Sequence, residues 1–199
     1  MENKTKYIKG LDGLRALAVV MVLAYHLKIP FAKSGLLGVT VFFVLSGFLI
    51  TRILITEIEE THTIDLKNFW VRRIRRLIPA VLSMAVVIIF VSAVVNRVVF
   101  TKGCKDFIAS VLGFNNWWQI FNKVSYFEAA GAPSPFTHCW SLAIETQFYL
   151  IYPILLILLS KARNRGKVFA AVIAVLAMIS VVLMGVLYSP DGDPSRVYY

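Results

Sequence analysis

The sequence predicts an all-α protein, a polytopic bundle of transmembrane helices. Of its 199 residues, 58% are hydrophobic and only 16% are charged, and the mean hydropathy is +0.73. A soluble domain usually carries about 45–50% apolar residues and roughly 25% charged ones. One globular core of this size cannot bury such an excess, so the composition argues against a soluble protein.

Five strongly apolar windows predict the membrane spans. Each approaches the roughly 18–20 residues that cross a bilayer with every backbone hydrogen bond closed inside the helix. They cover residues 12–29, 36–55, 77–96, 141–160 and 168–188. A weaker window, 107–122, is shorter and contains Asn115, Asn116 and Gln119. We expect this segment to lie at the outer interface or to re-enter the membrane without crossing it.

The basic residues predict the orientation. The chain has 21 Lys and Arg against 11 Asp and Glu, an excess that in a membrane protein marks cytoplasmic loops, so no nucleic-acid partner is expected. With five spans and a cytoplasmic N-terminus, 14 basic residues lie inside and 7 outside. If 107–122 crossed, the basic loop at 161–167 would move outside. We therefore predict a multi-pass protein of the cell membrane with its N-terminus in the cytoplasm.

Arg15 and His26 are the first candidate site residues. They are eleven residues apart, which brings them within about 20° of each other around a helix and separates them by about 16 Å along it. An ionisable side chain inside a span usually faces a polar cavity. The alternative is that Arg15 reaches back to the cytoplasmic surface and His26 caps the outer end.

Four arginines precede the third predicted span: Arg72, Arg73, Arg75 and Arg76. Such a cluster usually anchors the chain against lipid phosphates. Its i, i+3 spacing also places guanidinium groups on one helix face, where they can bind phosphates in bidentate fashion. A polyphosphate cofactor approaching from the cytosol would suit them.

Glu145 is the one carboxylate inside a strong window apart from Asp12 at a boundary. A carboxylate in a span must be paired or protonated, and Glu145 is a candidate partner of His26. Ser46-Gly47 provides small residues for close helix approach. The two cysteines lack metal-type spacing, so no metal is expected.

Several motifs share one resemblance. They are GLDGLRA at 10–16, GVTVFFVLSGFLIT at 38–51, FWVRRIRRLIP at 69–79, SPFTHCWSLAIETQFYLIYP at 134–153 and SRVYY at 195–199. Their order over about residues 7–199 resembles the N-terminal half of the acyltransferase family 3 membrane proteins. The closing motif is similar to a segment of the peptidoglycan O-acetyltransferase branch. Cys139 replaces a common Thr, and Thr146 replaces a common Glu.

The resemblance implies an integral membrane enzyme that takes acetyl groups from cytoplasmic acetyl-CoA. It would pass them to hydroxyls of peptidoglycan or another cell-envelope glycan. In the family, residues matching Arg15 and His26 are essential, the arginine motif is linked with acyl-CoA, and a tyrosine matching Tyr198 or Tyr199 carries the acetyl group onward. Residues 1–199 would then be the N-terminal part of a longer membrane domain, followed by further spans and commonly by a soluble SGNH-type domain.

Two other functions remain open at this point. A transporter or proton-coupled channel would also use intramembrane His, Arg and Glu, but it predicts broken helices in repeated halves, which the sequence lacks. A non-catalytic scaffold would leave the ionisable residues without a role.

Overall fold

The computed structural model describes residues 8–126, 133–162, 164–189 and 192–199, and all the regular structure in these ranges is helical. The helices are α1 (Lys9–His26), α2 (Leu37–Thr61), α3 (Leu66–Val95), α4 (Arg97–Val111), α5 (Asn115–Phe121), α6 (Cys139–Ser160), α7 (Arg165–Leu187) and α8 (Ser195–Tyr198). The predicted all-α fold is confirmed. The chain forms two compact units, divided between Ile64 and Asp65.

Among the described residues, four helices are long and apolar enough to cross a membrane: α2, α3, α6 and α7. They match four of the five predicted spans. The fifth, α1, has 18 residues but includes three charged ones, Lys9, Asp12 and Arg15. With three charges it is not apolar enough to count as a membrane-spanning helix by composition. The count by length and composition is therefore four instead of five, and the crossing of α1 stays a prediction.

In unit 1, α1 packs closely against the start of α2 and the preceding turn. A Cβ at Gly38 would lie 2.5 Å from the carbonyl oxygen of Ala18, and one at Gly35 would lie 2.2 Å from that of Met21. Only glycine allows the backbones to approach this closely. The expectation that Ser46-Gly47 performs this role fails at Gly47, where a Cβ would meet no described residue within 4 Å.

In unit 2, α3 and α6 run antiparallel. The indole Nε1 of Trp70, near the start of α3, donates to the backbone oxygen of Tyr149, 3.1 Å away in the middle of α6. Further along α3, Val81 lines the same cavity as Leu142, near the start of α6. Unit 2 therefore has an arginine end, where α3 begins and α6 ends, and a hairpin end, where α3 ends and α6 begins.

α3 begins eleven residues before the predicted span, so one helix carries both the four arginines, as their spacing predicts, and the apolar residues that follow them. The side chain of Asp65 caps its N-terminus by accepting from the backbone N–H of Asn68 at 3.0 Å, which satisfies a donor without a partner inside the helix. This hydrogen bond lowers the pKa of Asp65 below its ordinary value. The cap thereby extends α3 into the arginine cluster.

α4 and α5 form a short helical hairpin. Asn96 ends α3 and caps α4 by accepting from the N–H groups of Val98 (2.9 Å) and Val99 (3.2 Å). α4 has 15 residues and α5 has 7, which gives about 22 Å and about 10 Å at 1.5 Å per residue, both short of a roughly 30 Å bilayer core. Neither helix is long enough to cross, which fits the expectation that 107–122 does not span the membrane. Its place at the outer interface or as a re-entrant segment stays a prediction.

The turn of this hairpin lies at Gly113, whose φ is +75°. The turn packs against α6, because a Cβ at Gly113 would lie 2.9 Å from the Cγ2 methyl of Thr146. Glycine satisfies both the positive φ and the close approach. The close packing of the turn therefore depends on the small side chain of Thr146.

Candidate active site

Arg73 is the arginine that the fold distinguishes from its neighbours. Arg72, Arg75 and Arg76 are exposed, whereas Arg73 is half-buried. Its guanidinium carbon lies 5.4 Å from the ring centre of Phe69 and 5.7 Å from that of Tyr149, within the range of cation–π attraction. Its Nε is buried, and no described residue accepts a hydrogen bond from it. The cluster is thus one half-buried guanidinium, with its Nε buried, beside three exposed ones.

Arg73 lines a cavity of about 330 Å³ between α3, the hairpin turn and α6. The remaining walls are mostly apolar: Trp70, Ile74, Leu77, Ile78, Val81, Val111, Leu112, Leu142 and Leu150. Gln147 and Thr146 contribute polar atoms. One buried cation with a free donor beside apolar walls suits a ligand with an anionic group and a short apolar chain.

Glu145 lies on the second turn of α6 and is half-buried. Its Oε1 accepts a hydrogen bond from the hydroxyl of Tyr149, the tyrosine whose ring contacts Arg73. The structure therefore joins Glu145 to the arginine cluster through Tyr149. Sequence reasoning missed Tyr149, although its i+4 spacing from Glu145 places both side chains on one helix face.

Hydrogen-bonded amides connect the Arg73 cavity with Tyr199. Nε2 of Gln147 donates to Oδ1 of Asn116 at 2.8 Å, and Nδ2 of Asn116 donates to the backbone oxygen of Tyr199 at 3.2 Å. Trp117 fixes the same glutamine by donating to its Oε1 at 3.1 Å. Asn115, Asn116 and Gln119, the polar residues that weakened the 107–122 window, are all buried. Their side chains form hydrogen bonds with other residues of the protein and do not face lipid.

The predicted acetyl carrier Tyr199 is buried at the hairpin end. Its ring centre lies 6.2 Å from those of Tyr126 and Trp140, and its hydroxyl has no hydrogen-bond partner among the described residues. Burial raises the pKa of this phenol above its ordinary value, and the nearby charge of Asp193 acts in the same direction. The phenol therefore stays protonated at physiological pH. Tyr198 belongs to α8, and its side chain lies outside the described part of the structure.

A second set of hydrogen bonds holds the chain around Tyr199 in place. The backbone N–H of Tyr126 donates to Oγ of Ser195 at 2.7 Å, and the N–H of Ser195 donates to Oδ1 of Asp193 at 3.0 Å. The hydroxyl of Tyr126 lies 3.1 Å from Nδ1 of His138. His138 is exposed and bonded to Tyr126.

Arg15 and His26 both lie on α1 in unit 1. Arg15 forms an ion pair with Asp12 (3.6 Å) one turn away. His26 is the last residue of the helix and is exposed, and its Nδ1 lies 2.8 Å from the carbonyl oxygen of Val22. Since a carbonyl only accepts, this contact requires a proton on Nδ1, which in a neutral ring leaves the lone pair on Nε2. The described residues include no group of three or more His, Cys, Asp or Glu placed to bind a metal.

Comparison with known proteins identifies the chain. The family described as "Acyltransferase domain" matches residues 8–192. The peptidoglycan O-acetyltransferase OatA of Listeria monocytogenes is 50% identical over 98% of this chain and 31% of its own length. A putative peptidoglycan O-acetyltransferase of Bacillus subtilis, YrhL, is 48% identical over 100% of this chain and 32% of its own. The chain thus spans about a third of the length of these relatives, and no solved structure matches it. The chain belongs to the acyltransferase family 3.

Proposed function

We propose that this chain forms the acetyl-CoA-binding and acetyl-transferring part of a membrane O-acetyltransferase that modifies peptidoglycan. The relatives named as peptidoglycan O-acetyltransferases support the reaction and the acceptor. The observation that carries the donor assignment is Arg73, a half-buried guanidinium with an unpartnered Nε beside an apolar cavity.

In this proposal the four arginines bind the donor. Arg72, Arg75 and Arg76 are exposed and hold the phosphates of coenzyme A, which guanidinium forks bind in bidentate fashion. Arg73 directs its free Nε–H to a polar atom of the donor, while the apolar walls of the cavity accommodate the adjoining chain. The arginine end of unit 2 is then cytoplasmic, together with the N-terminus, and the hairpin end faces outward.

His26 acts as the general base. As the acceptor oxygen attacks the thioester carbonyl, Nε2 of neutral His26 takes the proton of that hydroxyl. The carbon–sulfur bond breaks, and the coenzyme A thiolate leaves with the electron pair and receives the proton from the imidazolium. Arg15 and Glu145, the other ionisable side chains inside the predicted spans, are also required for transfer in this proposal.

Tyr199 or Tyr198 is the first acceptor and then gives the acetyl group to a glycan hydroxyl. The raised pKa of Tyr199 means that its hydroxyl needs a base at physiological pH, which agrees with a role for a histidine. Because the chain covers about a third of its relatives, the final transfer to glycan is assigned to the protein together with its further domains.

The test uses membranes that contain the full-length protein, supplied with acetyl-CoA labelled in its acetyl group. We expect His26→Ala to lose at least about a hundredfold in label transferred to peptidoglycan, the contribution typical of a general base. His62→Asn is the matched control, because His62 is exposed and ends α2 with φ +61°, a conformation that Asn also adopts. Normal transfer by His26→Ala at equal abundance would refute the assignment.

A further inference from the structure

Tyr149 and Glu145 lie one turn apart on α6, and Tyr149 brings this pair to Arg73 of α3. The hydroxyl of Tyr149 donates a hydrogen bond to Oε1 of Glu145. The guanidinium carbon of Arg73 lies over the ring of the same tyrosine, 5.7 Å from its centre. The cation therefore contacts the ring, and the hydroxyl of the ring contacts the carboxylate. A phenol thus links two opposite charges.

Contacts that do not involve the Tyr149 hydroxyl hold its ring in place. Nε1 of Trp70 donates to the backbone oxygen of Tyr149 at 3.1 Å, which ties α6 to α3 at this level. On α3, the fully buried Phe69 lies one turn before Arg73, and its ring centre lies 5.4 Å from the guanidinium carbon. Removal of the hydroxyl alone is therefore expected to leave both rings beside the guanidinium.

The phenol keeps the carboxylate out of the Arg73 cavity. Arg73 and Tyr149 both line this cavity, whereas Glu145 is not among its lining residues. A carboxylate in direct contact with a guanidinium accepts hydrogen bonds from it and would also repel an anionic ligand. Here the Nε of Arg73 is buried and has no acceptor among the described residues. The charge of Glu145 is thus one side chain away from Arg73 and leaves this N–H for a ligand.

We propose that Tyr149 is a positioning residue for the acetyl donor and that Glu145 acts through it as the counter-charge of Arg73, an inference that rests on the proposed function. A phenol that donates to a carboxylate becomes richer in electrons, which strengthens the attraction between its ring and a cation over the ring face. The pair thereby holds the guanidinium in the orientation that offers Nε–H to coenzyme A. The part of Glu145 in transfer is then donor binding.

The first test measures equilibrium binding of radiolabelled coenzyme A, which carries no acetyl group, to the full-length protein in nanodiscs. Tyr149→Phe removes only the hydroxyl, and Glu145→Gln keeps an acceptor but removes the charge. We expect each to weaken binding by about three- to tenfold. The double variant should bind no more weakly than the weaker single one, because both changes act on one hydrogen bond. Tyr152→Phe is the matched control and should bind normally, because Tyr152 is buried on the same helix, stacks on Phe148 and does not line the cavity.

The second test measures initial rates at varied acetyl-CoA concentration. We expect Tyr149→Phe to raise KM by a similar factor and to change kcat much less, since it removes binding shared by the ground state and the transition state. A merely misfolded fraction would lower kcat at a normal KM. In an Arg73→Lys background, adding Tyr149→Phe should change neither value further, which would locate the effect at Arg73 and not at another coenzyme A contact.

Each contrary outcome is distinct. If Tyr149→Phe binds coenzyme A normally, or no better than Tyr152→Phe when both are weakened, the inference is overturned. The proposed function still stands in that case provided that Arg73→Lys weakens binding. If Arg73→Lys also binds normally, the donor assignment of the proposed function fails as well. Normal coenzyme A binding by Glu145→Gln with a loss of kcat alone would assign Glu145 to the reacting groups and refute its role at Arg73.

Discussion

Arg73 differs from the three arginines around it because two aromatic rings hold its guanidinium. Phe69 lies one turn before it on α3, and Tyr149 reaches it from α6. A guanidinium lies flat on such rings and keeps its N–H groups directed sideways, whereas the compact, strongly hydrated ammonium of lysine does neither. The charge of Arg73 therefore matters less than its shape.

We expect Arg73→Lys to raise the KM for acetyl-CoA by about tenfold, the loss of roughly one charge-assisted hydrogen bond. Arg75→Lys is the control, since Arg75 is exposed and lysine preserves its charge. Initial rates at varied acetyl-CoA concentration measure both. Equal KM values for the two variants would show that the cluster acts only through its total charge.

Asp193 gives the Tyr199 region a dependence on pH. Partial burial acts to raise the pKa of Asp193, but hydrogen bonds from Ser195 and Ser125 outweigh it, and the pKa lies below its ordinary value of 3.8. A lowered carboxyl pKa contributes stability that is complete above the ordinary pKa and is lost as the pH falls through the lowered value.

We therefore expect the N–H of Tyr126, which donates to Ser195, to lose protection from hydrogen exchange in that acidic range. Asp193→Asn should show weaker protection at neutral pH and no such acidic step. Mass spectrometry of peptides containing Tyr126 makes the comparison after correction for intrinsic exchange rates. Identical pH profiles for the two proteins would exclude Asp193 as the titrating group.

At the scale of elements, the α4–α5 hairpin depends on one backbone conformation. Gly113→Ala would impose a positive φ on alanine and place its Cβ against the Thr146 methyl. We expect a loss of about 1–3 kcal/mol, which lowers Tm by several degrees in a chain of this size. Gly166→Ala is the control, because Gly166 lies in α7 and a Cβ there would meet no described residue within 4 Å. A thermal-shift assay in detergent compares them, and equal Tm values would mean that the turn tolerates a side chain.

The sequence predicted the elements that are recognisable from one continuous stretch of residues. Apolar length identified α2, α3, α6 and α7, and the amides at 115, 116 and 119 marked the segment that does not span. The contacts of Arg73 with Tyr149, and of Asn116 with Tyr199, join residues 76 and 83 positions apart. No periodicity encodes such pairings, so the arginine that the fold buries and the amides beside Tyr199 could not be selected from the pattern alone.

At the scale of the molecule, the antiparallel α3 and α6 put the arginine cluster and the α4–α5 hairpin at opposite ends of unit 2. If the arginine end is cytoplasmic, the loop between α6 and α7 is cytoplasmic too. After replacing Cys104 and Cys139 with Ala, we expect Asn164→Cys to react with an impermeant maleimide only in permeabilised cells. Asn122→Cys, which is exposed and follows α5, should react in intact cells. The reverse pattern would invert the predicted topology.

The α4–α5 hairpin also affects where the transmembrane voltage falls in the proposed reaction. Gln147, which lines the Arg73 cavity, and Asn116 connect that cavity by hydrogen bonds to the backbone of Tyr199, so polar groups lie between the two sites. A transmembrane voltage then falls mainly across what remains of the nonpolar layer, where each moving elementary charge changes in energy by about 2.3 kcal/mol per 100 mV. In the proposed reaction the highly charged coenzyme stays on one side, and the acetyl group crosses in exchange for the proton of the acceptor hydroxyl, so no net charge moves through that field. The membrane voltage therefore neither drives nor opposes the transfer, and dissipating it with an ionophore should leave the rate unchanged.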